Sequence, residues 1–128
     1  MIIYGIGTDI VNVKRIEKIM QNNIIFKKRI FSKEEIILCE KKNKKYSCYA
    51  NRFASKEAFS KALGIGISKG LNFNEITVTN NKSGKPLIKI KGKSLQIVYK
   101  ILKKKKFKTF LSISDESPFS ISTIILTI

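Results

Sequence analysis

The alternation of apolar and polar positions changes period several times along the chain, and each change marks an element. Ile2 to Ile10 is rich in β-branched residues and alternates weakly, which predicts a strand. Gly5 and Gly7 sit inside it, signalling a bend or a close backbone approach, and Asp9 lies near its end. Val13, Ile16, Ile19 and Met20 then recur at helical spacing, with Lys14, Arg15 and Lys18 on the other side and Asn12 as a cap. Ser32-Lys33-Glu34-Glu35 matches a capping box and opens a second helix. Lys41 to Lys45 reads as a helix end or loop. Tyr46 to Leu63 is the strongest helical segment, and Gly64 stops it. Gly64, Gly66 and Gly70 make a flexible connection. Glu75 to Thr79 and Leu87 to Lys91 read as strands joined by the turn Asn80 to Pro86. Lys93 to Lys106 is predicted as a helix with a basic end. Phe107 to Ser114 and Phe119 to Thr127 are predicted as strands around a turn containing Ser117-Pro118. The order predicts one α+β domain over residues 1–128: a mostly antiparallel sheet packed by helices, not a doubly wound sheet.

Composition narrows the function. The net charge is +17, with 26 Lys and Arg against nine Asp and Glu, which points to a negatively charged partner. Only Arg15, Arg29 and Arg52 are Arg, and the Lys, Ile and Asn richness that an AT-rich genome produces accounts for part of the excess. The chain has no His, which excludes Ser-His-Asp and Cys-His catalysis and imidazole-bound zinc. Cys39 and Cys48 form no CxxC pair and no disulfide framework; buried free thiols in a reducing cytoplasm are the expectation. No signal peptide is visible, and no apolar run reaches the roughly 18–20 residues that span a membrane.

The nine carboxylates divide by position into two groups. Glu17, Glu34, Glu35, Glu40 and Glu75 look like helix-surface, capping or strand-edge groups; Asp9, Glu57, Asp115 and Glu116 do not. At about 100° per residue, Tyr46, Ala50, Phe53, Ala54 and Ala58 share a helix face. Glu57 and Lys61 fall within that face, while Arg52, Lys56 and Phe59 point elsewhere. A plain i,i+4 ion pair is one reading of Glu57 and Lys61. A buried pair carries a desolvation penalty that an exposed pair avoids, which favours a functional reading. Asp9 is either an N-cap for the following helix or a ligand for a hard cation. Mg²⁺ is held by one or two carboxylates plus substrate phosphates and waters, so Asp9 and Glu57 suit it, with Lys61 as a phosphate contact. Neither a dinucleotide fingerprint nor a P-loop is present.

Gly5-Ile6-Gly7-Thr8-Asp9-Ile10-Val11, taken with Arg52-Phe53-Ala54-Ser55-Lys56-Glu57-Ala58-Phe59-Ser60-Lys61-Ala62-Leu63-Gly64, resembles the holo-[acyl-carrier-protein] synthases of the 4′-phosphopantetheinyl transferase superfamily. Ser83-Gly84-Lys85-Pro86 and Leu111-Ser112-Ile113-Ser114 extend the resemblance over the full length. It implies transfer of 4′-phosphopantetheine from coenzyme A to a serine of apo-acyl-carrier-protein, releasing adenosine 3′,5′-bisphosphate. It implies Mg²⁺ on Asp9 and Glu57, with Lys61 near the pyrophosphate. Glu57 and Lys61 are the catalytic candidates: Glu57, from its placement on an otherwise apolar face, as the base for the serine proton, directly or through a metal-bound water, and Lys61 to offset charge on the leaving nucleotide. The resemblance places coenzyme A against Lys56, Ser60, Lys61, Gly64, Gly84, Lys85 and Pro86. It further implies a cytoplasmic homotrimer with active sites between subunits, and docking of the acidic carrier protein on Lys14, Arg15 and Lys18, aided by Lys27 and Lys28. One departure stands out: many members carry a His where this chain has Asp115, followed by Glu116. Asp115 is then either a carboxylate base or a turn residue before Pro118. The rival reading is a small nucleic-acid-binding module, supported by the charge and by Lys103 to Lys106. No recognition motif or interleaved aromatics accompany it, so no dedicated nucleic-acid role is expected.

Overall fold

The computed structural model describes residues 1–66 and 70–128. Its elements are β1 (Ile3–Asn12), α1 (Val13–Asn22), α2 (Ile24–Ile30), α3 (Lys33–Glu40), α4 (Lys45–Leu63), β2 (Ile76–Asn80), β3 (Pro86–Ile90), α5 (Gly92–Leu102), β4 (Lys108–Glu116) and β5 (Phe119–Thr127). A single turn of 3₁₀ helix at Phe73–Glu75 precedes β2. The class is α+β with antiparallel sheets, as the pattern predicts. One sheet has the order β1-β5-β4, and β2 and β3 form a separate hairpin.

Local chemistry explains the boundaries. The Asn12 side chain caps α1 by accepting from the Lys14 N–H at 2.9 Å. Ser32 and Glu35 complete the capping box of α3 reciprocally. Gly64 ends α4 at φ +80°, the left-handed conformation that glycine adopts without penalty. The glycine connection expected from Gly64 to Gly70 includes residues 67–69, which lie outside the described residues.

The core forms where α4 lies across the β1-β5-β4 sheet. Strand alternation turns Gly5, Gly7, Asp9 and Val11 toward α4 and leaves Ile6, Thr8 and Ile10 on the outer face. The two glycines are required by this packing. A Cβ at Gly7 would run into the Ala58 carbonyl, and one at Gly5 into the Ala62 carbonyl. Ala54, Ala58 and Ala62 on α4 are buried for the same reason. The outer sheet face stays apolar and open: Ile6 is 61% exposed, Ile10 58%, Phe110 42% and Phe119 42%.

Four expectations need correction. Helix α2 lacks a clear periodic pattern, yet it forms because Asn23 caps it through Ile25 and Phe26. The apolar stripe assigned to α4 is too narrow. This helix is buried nearly all round, so Arg52, Lys56 and Phe59 are enclosed as well. The strand read from Glu75 begins at Ile76, and of the roles expected of Glu75 it takes the capping one. It caps α5, accepting from the Lys93 and Ser94 N–H groups at 3.1 Å each. Cys39 and Cys48 are not free thiols. The packing of α3 on α4 brings their Cα atoms to 5.4 Å, and they are joined by a disulfide.

Candidate active site

Asp9, Glu57 and Lys61 are brought together where the end of β1 crosses α4. The Lys61 ammonium donates to the Thr8 carbonyl at 2.8 Å and to Asp9 Oδ1 at 3.2 Å. Its side chain remains 53% exposed, so it can still meet a ligand. The i,i+4 reading of Glu57 and Lys61 therefore fails: Lys61 pairs with Asp9, across the helix–strand interface. The N-cap reading of Asp9 fails too, because Asn12 fills that role.

Glu57 is 4% exposed and makes no ion pair among the described residues. Burial pushes its carboxyl above the ordinary carboxylate range, and the neighbouring Asp9 charge pushes the same way. Lys61 and Arg15 oppose the shift without cancelling it. Two carboxylates that repel each other, one of them buried, are a donor set that a cation would relieve. No cluster of three acidic, Cys or His groups exists among the described residues. The pair therefore suits a hard divalent ion that takes its remaining ligands from phosphate and water, and does not suit a closed protein cage.

Glu57 lines a cleft of about 590 Å³ whose walls are α1, α2 and residues 70–74. Arg15 and Arg29 border it, and Phe26, Phe53, Leu71 and Phe73 form its apolar sides. Lys14, Arg15 and Lys18 are exposed on α1 beside it. Lys27 is held by Glu40 at 3.2 Å. Arg29 is the α2 cation that reaches the cleft, and only the unrecognised helix could have identified it.

A second cleft, about 800 Å³, lies on another side of α4 and contains Asn51, Arg52, Asn80, Gly84 and Lys44. Arg52 is 5% exposed, and its Nε has no partner. Its Nη atoms donate to Asn51 Oδ1 at 2.8 Å and Asn80 Oδ1 at 3.3 Å. Burial lowers its pKa, which the charges of Glu35 and Asp115 oppose. Asp115 is exposed near the β4–β5 turn, so its charge bears on Arg52 and not on Glu57. Arg52 appears in the sequence motif, but helical periodicity alone gave it no role.

The other expected coenzyme A contacts separate. Gly84 lines the Arg52 cleft, with Lys85 exposed next to it and Pro86 half-buried. Gly64 is exposed at the end of α4. Ser60 is 1% exposed and its hydroxyl donates to the Lys56 carbonyl at 3.2 Å, so it faces the interior. Lys56 also departs from expectation. It is 0% exposed and ion-paired with Glu35, because the Ile30 and Phe73 carbonyls and Glu35 draw its ammonium inward.

Residues 5–121 match the family model of the 4′-phosphopantetheinyl transferase superfamily. A holo-[acyl-carrier-protein] synthase of Pelagibacter ubique is 50% identical over 126 residues, covering 98% of each chain. The crystal structure of the holo-[acyl-carrier-protein] synthase from Neisseria meningitidis is similar with a TM-score of 0.85 and 34% identity, over 99% of this chain and 100% of that one. A holo-(acyl-carrier-protein) synthase structure from Bacillus anthracis, in complex with CoA (3′,5′-ADP), gives a TM-score of 0.79 and 32% identity, over 99% and 98% of the two chains.

Proposed function

The chain belongs to the 4′-phosphopantetheinyl transferase superfamily, and from that premise we propose how its residues divide the work of a holo-[acyl-carrier-protein] synthase. It transfers 4′-phosphopantetheine from coenzyme A to a serine of apo-acyl-carrier-protein. The serine oxygen bonds to the pantetheine-bearing phosphorus, the bond from that phosphorus to the nucleotide breaks, and adenosine 3′,5′-bisphosphate leaves. The observation that carries the reading is the coupled pair Asp9 and Glu57 beside a half-exposed Lys61.

Glu57 accepts the serine proton. Its carboxylate lines a cleft that opens beside the basic face of α1. Lys61, anchored by Thr8 and Asp9, neutralises charge that grows on the departing pyrophosphate oxygen. Asp9 and Glu57 would hold Mg²⁺, which supplies charge neutralisation at the pyrophosphate. Arg52, with Gly84 and Lys85, forms the anion-binding end that receives the nucleotide.

The acidic carrier protein docks on Lys14, Arg15 and Lys18. Reversing all three charges to Glu is expected to raise KM for the carrier protein by about 10²-fold at low salt and to leave KM for coenzyme A unchanged. Steady-state kinetics with each substrate varied separately checks this; an equal rise in both KM values would place docking elsewhere. Adding salt should weaken the wild-type KM for the carrier in the same direction.

The working unit is a homotrimer of one-domain chains with shared sites. Two features support this. The outer sheet face carries an exposed apolar surface of the kind that marks protein contacts. The Glu57 and Arg52 clefts share no lining residue, so the basic and nucleotide-binding halves of the site are separate within one chain. Arg52→Ala and Glu57→Gln are each expected to be inactive alone and to regain activity when refolded together, because mixed assemblies contain intact sites. Light scattering would give the oligomer, and no recovery on mixing would confine each site to a single chain.

A further inference from the structure

We infer that Lys56, through its buried ion pair with Glu35, is a positioning residue that holds the two walls of the Glu57 cleft at a fixed separation; this rests on the reading that the cleft is the transfer site. Lys56 precedes Glu57 in α4 but points into the protein. Its ammonium donates to the Ile30 carbonyl at 2.7 Å, to the Phe73 carbonyl at 2.9 Å and to Glu35 Oε1. Ile30 closes α2 and Phe73 opens the 3₁₀ turn, and both residues line the cleft. One cation therefore ties both walls to the helix that carries the base. Glu35 completes the arrangement by accepting from the Ser32 N–H and the Val78 N–H, each at 2.9 Å.

Every ammonium proton has a partner, and the group has no access to solvent. A hydrophobic residue in its place would leave two carbonyls free and the walls joined only by apolar packing. An ion pair is not needed for burial here, since replacing such pairs by apolar groups is often neutral for stability. Its distinctive contribution is direction: three acceptors converge from α2, α3 and the 3₁₀ turn on a single point.

The test uses the full chain carrying Lys56→Met with Glu35→Gln, which removes both charges and strands neither. We expect a folded protein whose kcat falls on the order of 10²-fold, because a small misplacement around the base is costly. KM for coenzyme A should change far less than kcat, since neither Lys56 nor Glu35 lines the Arg52 cleft. Hydrogen exchange should accelerate over residues 26–31 and 70–75 and not over β1 or β5. A folded variant with wild-type kcat and wild-type exchange in both segments overturns the inference. If the variant does not fold, the wild-type chain decides by nitrogen-15 NMR. The Lys56 ammonium should exchange slowly and show cross-relaxation to Ile30 and Phe73; one that exchanges like surface lysines overturns the clamp. A wild-type chain that transfers nothing refutes the assigned reaction instead, and the exchange and NMR readouts still decide the clamp.

Discussion

Glu57→Gln is expected to lower the transfer rate by about 10³-fold or more while making the metal-free protein more stable at neutral pH. Both effects come from one cause. Glu57 sits buried beside Asp9, and both features raise its pKa. A carboxyl whose folded pKa lies above its unfolded value of roughly 4.3 favours the folded state in its protonated form. That advantage is complete below the unfolded pKa and is lost as pH rises through the folded pKa. At pH 7, above the unfolded value, this carboxyl therefore disfavours folding relative to acidic pH, and Gln removes that penalty. The midpoint of thermal unfolding should rise by about 2–5 °C at pH 7 in a chelator, with the difference vanishing near pH 4. A divalent cation should stabilise the wild-type chain and not the variant. Unfolding scans across pH, with and without Mg²⁺, check this. An unchanged or lower midpoint for the variant at pH 7 would mean that the Glu57 charge is already compensated, and the cation site would be lost with it.

Gly7→Ala is expected to be the most damaging change outside the chemistry. Its methyl group would lie 2.8 Å from the Ala58 carbonyl carbon and 2.7 Å from the Ala62 nitrogen, closer still to the Ala58 oxygen. All are backbone atoms, so no side chain can turn aside. The strand must move off α4, at a cost of about 3 kcal/mol or more, near the upper end of overpacking effects. Because Asp9 follows on the same strand face, activity should fall along with stability. Denaturant unfolding and the transfer assay read the two effects. Gly64→Ala is the useful contrast: no atom lies within 4 Å of a Cβ there, so its penalty is confined to the left-handed backbone at φ +80°.

The site is legible in the sequence where chemistry and packing conflict. Asp9 follows two glycines in an apolar strand, and Glu57 lies among alanines; both signals survive in the fold as a strand pressed against a helix. The Lys61 position is legible from its spacing, but its partner is not, since the bond to Asp9 spans 52 residues. Lys56 illustrates the limit of periodicity. A helical wheel assumes one dry face, while α4 is enclosed on nearly every side, so a lysine off the expected stripe becomes a core cation. Its partner Glu35 reads locally as a capping residue, which it is, and only the tertiary fold adds the ion pair. Helix α2 leaves little trace because Ile24 and Ile25, at its start, are exposed. The disulfide between Cys39 and Cys48 depends on how α3 packs on α4, which a separation of nine residues does not disclose.

The most direct measurement is the mass of an apo-acyl-carrier-protein incubated with coenzyme A and this chain. A transfer site built on Asp9 and Glu57 predicts a gain of one 4′-phosphopantetheine group with Mg²⁺ present, loss of that gain in EDTA, recovery on adding Mg²⁺, and no gain with Glu57→Gln. Wild-type transfer that is indifferent to EDTA, together with near-normal transfer by Glu57→Gln, would contradict it.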